Sequence, residues 1–285
     1  MASLPSHFTT FLFLFPVGIR RLLSSSSLFL KNPSLYQSKP WYFAEPRWKN
    51  FDLYALLIAL PIACFSNLFF FLTFSGNPTS KFSFLQQSAI ILLFWVFLIL
   101  VVLRENIDNL IVHEGFVFIF AGIVFLIEYS LTVKGIQGLI GGVNGLLDWL
   151  NLACAGCCLF LSIRPWAFFA DFLLSSGILL KGTWMLQVGL NLYATRFSFL
   201  GCRMILPTEN NVNVKCDLEE DSVRGVALMN LLFIVHVTGI LVLSFLLFAA
   251  LSWNRNMRRA NSGTLLAMLQ SESMLMQPLP ELELE

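Results

Sequence analysis

Four ionisable side chains stand inside runs that are otherwise apolar: Glu128, Asp148, Lys181 and His236. A charged group near the centre of a membrane-spanning helix costs about 2.5–3.5 kcal/mol, so such groups face a partner or a cavity. At about 1.5 Å per residue, all four fall near the midplane or in one half of the bilayer, where they could meet. Together they could handle a proton, an ion or a small polar solute. They could equally be hydrogen-bonding glue between helices, worth about 0.6 kcal/mol per contact, with the Lys181 stem reaching for an interface. Neighbouring polar residues fall at helical spacing. Asn144, Asp148 and Asn151 are at i, i+4 and i+7. Lys181, Trp184, Gln187 and Asn191 share an arc of about 120°. A lipid-facing stripe would not be polar, so both stripes are expected to face the bundle interior. Lys181 is expected to pair there with Asp148 or Glu128, with His236 nearby.

Other constellations are weaker as chemistry. "GIQGLIGGVNG" holds two GxxxG pairs, Gly138 with Gly142 and Gly141 with Gly145. That spacing lets helix backbones approach closely, so these glycines are expected to pack helices. No GK[ST] follows them, so they do not read as a phosphate loop. Cys154, Cys157 and Cys158 share a helical face, but cysteine in an apolar span usually acts as a small hydrophobe, and no metal site is expected. The three histidines offer no facing pair for haem. No G-x-S-x-G, HExxH or P-loop occurs, so the expectation is a non-enzyme without a cofactor.

The elements that must position these residues follow from composition. The 285 residues are 57% hydrophobic and 12% charged, against about 25% charged in soluble domains. That balance places the chain in a bilayer. The net charge of +1 gives no field for nucleic acid. Six windows could cross a membrane, at about 53–74, 82–103, 112–133, 136–163, 166–195 and 225–253. A seventh, at 8–30, competes with two other readings of the same segment, a cleaved signal peptide and a Ser-rich transit peptide. A transit peptide would send the chain to an organelle envelope. Otherwise secretory-route or plasma membrane is expected.

Seven spans put the termini on opposite sides. With the N-terminus outside, nine Lys and Arg lie on the cytosolic side and six outside; Arg20 and Arg21 would raise the nine to eleven. Positive-inside therefore favours an external N-terminus and a cytosolic C-terminus. The long loop at 196–224 then lies outside, where Cys202 and Cys216 could form a persistent disulfide. Residues 1–259 read as one seven-helix membrane domain and 260–285 as a mobile cytosolic tail.

"LLKGTWMLQVGLNLY" (179–193) resembles the sixth-span signature of the transmembrane protein 45 family, through Gly182, Trp184 and Gly189. Lys181 stands where the family carries glutamine. "SHFTTFLFLFPVG", "PSLYQSKPWY" and the pair Cys202 and Cys216 are similar to that family's opening, first loop and last external loop in plant members. The family's His-x-His at the end of the fourth span is absent: "YSLTVKG" stands there. The resemblance implies a retained first helix, membrane residence, and a link to plant stress or defence. It carries no activity over. The expectation is therefore an all-α polytopic bundle, an accessory or trafficking factor whose one clear partner is the lipid bilayer. A proton-coupled or small-solute transporter built on the polar cluster is the alternative. Protein partners stay open, a homo-oligomer among them.

Overall fold

The computed structural model describes residues 4–44, 50–73, 78–106, 113–131, 139–193, 202–204, 214–216 and 218–275. The fold is an all-α bundle. Its helices are α1 (Leu4–Lys31), α2 (Phe51–Thr73), α3 (Pro78–Asn106), α4 (Glu114–Leu131), α5 (Leu139–Ile163), α6 (Phe168–Tyr193) and α7 (Glu219–Leu275). All seven are long and apolar enough to cross a membrane. A 3-10 turn lies at Pro33–Leu35. Between α6 and α7, β1 (Cys202–Met204) pairs antiparallel with β2 (Val214–Cys216).

The chain divides into two units, Met1–Ser244 and Phe245–Glu285. The first holds α1 to α6 and the N-terminal part of α7. The described part of the second is the continuation of α7 to Leu275. Helix therefore extends past Arg259 into the stretch expected as tail. At its other end α7 takes in Glu219, Glu220 and Asp221 as its first turn, residues expected in the loop. Carboxylates suit a helix N-terminus because the free N–H groups there carry partial positive charge.

The α1–α6 seam is the most extensive between helices, and α1 touches α2 only slightly. Glycine makes the first seam possible. A Cβ on Gly18 would stand 2.8 Å from the Leu179 backbone, and one on Gly182 would stand 3.0 Å from Leu14 and the Phe15 nitrogen. Two of the glycines expected to pack helices are less tightly engaged. A Cβ on Gly142 would meet the two Val226 methyls at 3.4 and 3.7 Å, and Gly145 has open space. Gly141 lies within α5 and Gly138 lies outside the described residues.

The main apolar core joins α4, α5 and α6 through residues such as Phe118, Phe125, Leu150, Ala155 and Leu174. Cys154 and Cys158 belong to it as buried hydrophobes. A second cluster packs Trp184 and Val188 of α6 on Val143 of α5 and Met229 of α7. A third joins α2 to α3 through Leu53, Leu56 and Leu98. In contrast, α2 turns Ile58, Ile62, Phe65, Phe69 and Leu72 outward. Their spacing of three and four residues forms one stripe, which suits acyl chains and not water.

Candidate functional site

Successive residues of α6 face different neighbours, because each step around an α-helix turns by about 100°. Lys181 points toward α4 and α5. Its Nζ donates to Glu128 Oε2 at 2.5 Å and to Asn151 Oδ1 at 2.9 Å. The Phe94 and Phe125 rings lie 5.7 and 5.3 Å from the same nitrogen, within the reach of cation–π attraction. Gly182 meets α1. Thr183 and Trp184 meet α7: Thr183 Oγ1 shares a 2.9 Å hydrogen bond with His236 Nε2, and the Trp184 indole packs edge-on to the same imidazole.

Three of the four residues singled out from the sequence are thus distributed over two places, and Asp148 stands within α5. Lys181 and Glu128 are joined. The second oxygen on the ammonium comes from Asn151, one turn beyond Asp148 on the α5 stripe. His236 lies with Thr183, a residue two positions from Lys181 and so about 200° around the helix. Farther along α6 the polar stripe changes partner. Gln187 donates to Asn191, and Asn191 reaches Met229 Sδ of α7 at 3.5 Å.

A denser polar centre sits where α6 begins. Asp171 is fully buried. Its Oδ1 accepts from Arg21 Nη2; its Oδ2 accepts from Tyr36 at 2.5 Å and also from Tyr42. Arg21 further donates to the carbonyls of Lys39 and Pro40, at 3.0 and 2.7 Å. Arg20 beside it is paired with Asp52 and donates to Asn50 and the Tyr42 carbonyl. The two arginines therefore fasten the first loop onto α1, α2 and α6. Burial pushes both phenols above the usual tyrosine range, and the Asp171 charge pushes them further. They remain neutral donors. In the sequence Arg20 and Arg21 count only as topology charges, and nothing there singles out Asp171.

A half-open cavity of about 940 Å³ is lined by residues of both polar centres. Arg20, Arg21 and Tyr42 line one end, Lys181, Glu128 and Asn151 stand in its wall, and most of the remaining lining is apolar and aromatic. Its α2 wall extends from Asp52 to Asn67, which at helical rise is about 22 Å. A volume of several hundred Å³, mainly apolar with a few convergent polar groups, is the usual form of a small-molecule site.

Cys202 and Cys216 are directly opposed in the β1–β2 register.

Residues 114–249 match a family of unknown function (DUF716), the family usually called TMEM45-like. That range holds Glu128, Asp148, Asn151, Asp171, Lys181 and His236. No curated protein matches the chain.

Proposed function

We propose that this integral membrane protein is a non-enzymatic binder or carrier of a small molecule, which it holds inside the bundle. One observation carries the reading: the cavity of about 940 Å³ with the Lys181–Glu128 pair in its wall. Helix glue alone would be expected to close packing around the pair, as protein interiors do. Here the pair fronts open space. The small-solute transporter is one form of this reading. Purified protein in lipid nanodiscs should retain a small molecule that solvent extraction and mass spectrometry detect. The variant Ala59→Phe, which fills part of the cavity from α2, should retain much less. Equal recovery from the two proteins, or none from the parent, would count against it, and solute flux in proteoliposomes then separates a carrier from a static binder.

The accessory or trafficking reading is favoured by a different feature, the continuation of α7 as helix from Met257 to Leu275, which would offer a docking element. Crosslinking in native membranes would test it, with a partner, or a second copy of the chain, lost on truncation after Met257. The external N-terminus, the cytosolic C-terminus, the Cys202–Cys216 disulfide, residence in secretory-route or plasma membrane, and a plant setting complete the proposal. The charge asymmetry, the strand register and the resemblance support them.

A further inference from the structure

Lys181 combines three features. Its side chain is mostly buried, its counter-charge is Glu128 at 2.5 Å, and it stands in the wall of an elongated cavity. An anionic ligand would compete with the partly buried Glu128 for the ammonium and set a second negative charge beside it, which is unfavourable. A neutral carbonyl compound avoids that conflict, because its product with an amine is still a cation. The aromatic rings of Phe94 and Phe125 beside Nζ favour a cation in either form. Lysine amines in apolar sites are known nucleophiles toward carbonyls once they lose a proton to a neighbouring base.

We propose that Lys181 is the attachment point for an elongated apolar aldehyde, held as a protonated imine with Glu128 as its counter-ion. The proposal deepens the cavity reading and rests on it. Glu128 accepts one ammonium proton and leaves a neutral amine. The nitrogen pair attacks the carbonyl carbon, the C=O π pair moves to oxygen, and a proton passes from nitrogen to that oxygen. Glu128 then returns its proton to the hydroxyl, the C–O bond breaks, and water departs as the nitrogen pair closes the C=N bond. The balance is Lys–NH3⁺ plus R–CHO to Lys–NH⁺=CHR plus H2O. Net charge is unchanged, so Glu128 faces a cation before and after. Asn151, at 2.9 Å from Nζ, can accept from the remaining N–H. The cavity's extent, about 22 Å along α2, and its mainly apolar lining suit a chain or polyene lying along the bundle.

The test incubates the full-length protein in nanodiscs with hexadecanal, reduces it with borohydride, and maps the product by peptide mass spectrometry. Reduction turns the imine into a stable secondary amine, so the adduct is expected on Lys181. It should be lost in Lys181→Arg, which keeps a cation for Glu128 but cannot form this imine. Retinal serves as a coloured probe, whose absorption should shift to the red on binding and shift again in Glu128→Gln. Hexadecanol, which cannot form an imine, separates the two levels of the claim. If it binds and hexadecanal leaves Lys181 unmodified, the imine is wrong and the cavity reading stands. If neither compound binds, both fall. Should Lys181→Arg fail to fold, the peptide map of the parent decides alone: modification spread over other lysines with Lys181 untouched overturns the proposal.

Discussion

Asp171 accepts from Arg21 and from two phenols at once, and its environment makes a pH prediction. The Tyr36 and Tyr42 values are raised in the folded state, by burial first and Asp171 second. A raised folded value means that the tyrosines' contribution is fully present below the unfolded value of about 10. It is lost progressively as pH rises from there through the folded values. In an alkaline titration followed by phenolate absorbance, neither should ionise before the protein unfolds. Tyr36→Phe with Tyr42→Phe should therefore leave the amplitude of the pre-unfolding phase unchanged; a smaller amplitude would contradict the burial. The Lys181–Glu128 pair makes a second prediction. Removing one partner of a buried pair costs about 3–5 kcal/mol because the survivor stays charged. Lys181→Met should lower the melting temperature in detergent, and adding Glu128→Gln should restore part of the loss. Lys181→Gln, which still reaches Asn151 as a hydrogen-bonding group, should be the mildest replacement. If Lys181→Met melts like the parent, and the double variant like Glu128→Gln, the pair contributes nothing. Lys181 was legible in the sequence because an ionisable group in an apolar run is costly enough to demand a reason. Depth along the helices narrowed its carboxylate to two candidates. Asp171 was not legible: four residues into its helix, it looks like any first-turn acid. Its partner Arg21 is 150 positions away, and local periodicity says nothing about which helix packs on which.

At the level of the helices, the apolar windows and the helix bounds agree to within a few residues except at α7, because hydropathy follows apolar content while helix continues wherever the backbone bonds persist. Close packing was harder to read. The GxxxG spacing pointed to α5, yet the tightest backbone approach among the glycines discussed is at Gly18 and Gly182, where no such spacing flags it. Whether a small residue matters depends on what stands opposite, and sequence supplies only one side of that pair. The two cases separate experimentally. Gly18→Ala must move the Leu179 backbone, which a rigid helix resists, and overpacking of this kind costs about 1–3 kcal/mol. Gly145→Ala meets nothing within 4 Å and exchanges a poor helix former for the best one, a gain of up to about 1 kcal/mol. Thermal melts of the two variants should move in opposite directions. A Gly18→Ala protein as stable as the parent would show that the α1–α6 seam is looser than described.

For the whole chain, orientation in the bilayer and the state of two cysteines are one question. The charge count favours an external loop at 196–224, and disulfides persist only outside the reducing cytosol. The β1–β2 register adds an independent observation, because it sets Cys202 opposite Cys216. Opposed residues of an antiparallel ladder have Cα atoms about 4.5–5.5 Å apart, inside the range of about 4.4–6.8 Å that a disulfide spans. A shift of one residue in the register would remove that opposition. Closing a loop of this length would contribute about 3 kcal/mol, a large share of what a short two-strand ladder needs to persist. Freshly isolated, unreduced membranes should therefore yield a linked Cys202–Cys216 peptide, and both thiols should resist alkylation until reductant is added. A tag inserted near Asn210 should be labelled by an impermeant reagent from the outer or luminal face only. The two readouts check each other. External labelling with free thiols would retain the orientation and remove the bridge. Cytosolic labelling would reverse the orientation and with it the reason for any bridge. It would also carry the Arg20–Arg21–Asp171 centre to the outer side, so that the Lys181 cavity would have its tyrosine-lined end facing away from the cytosol.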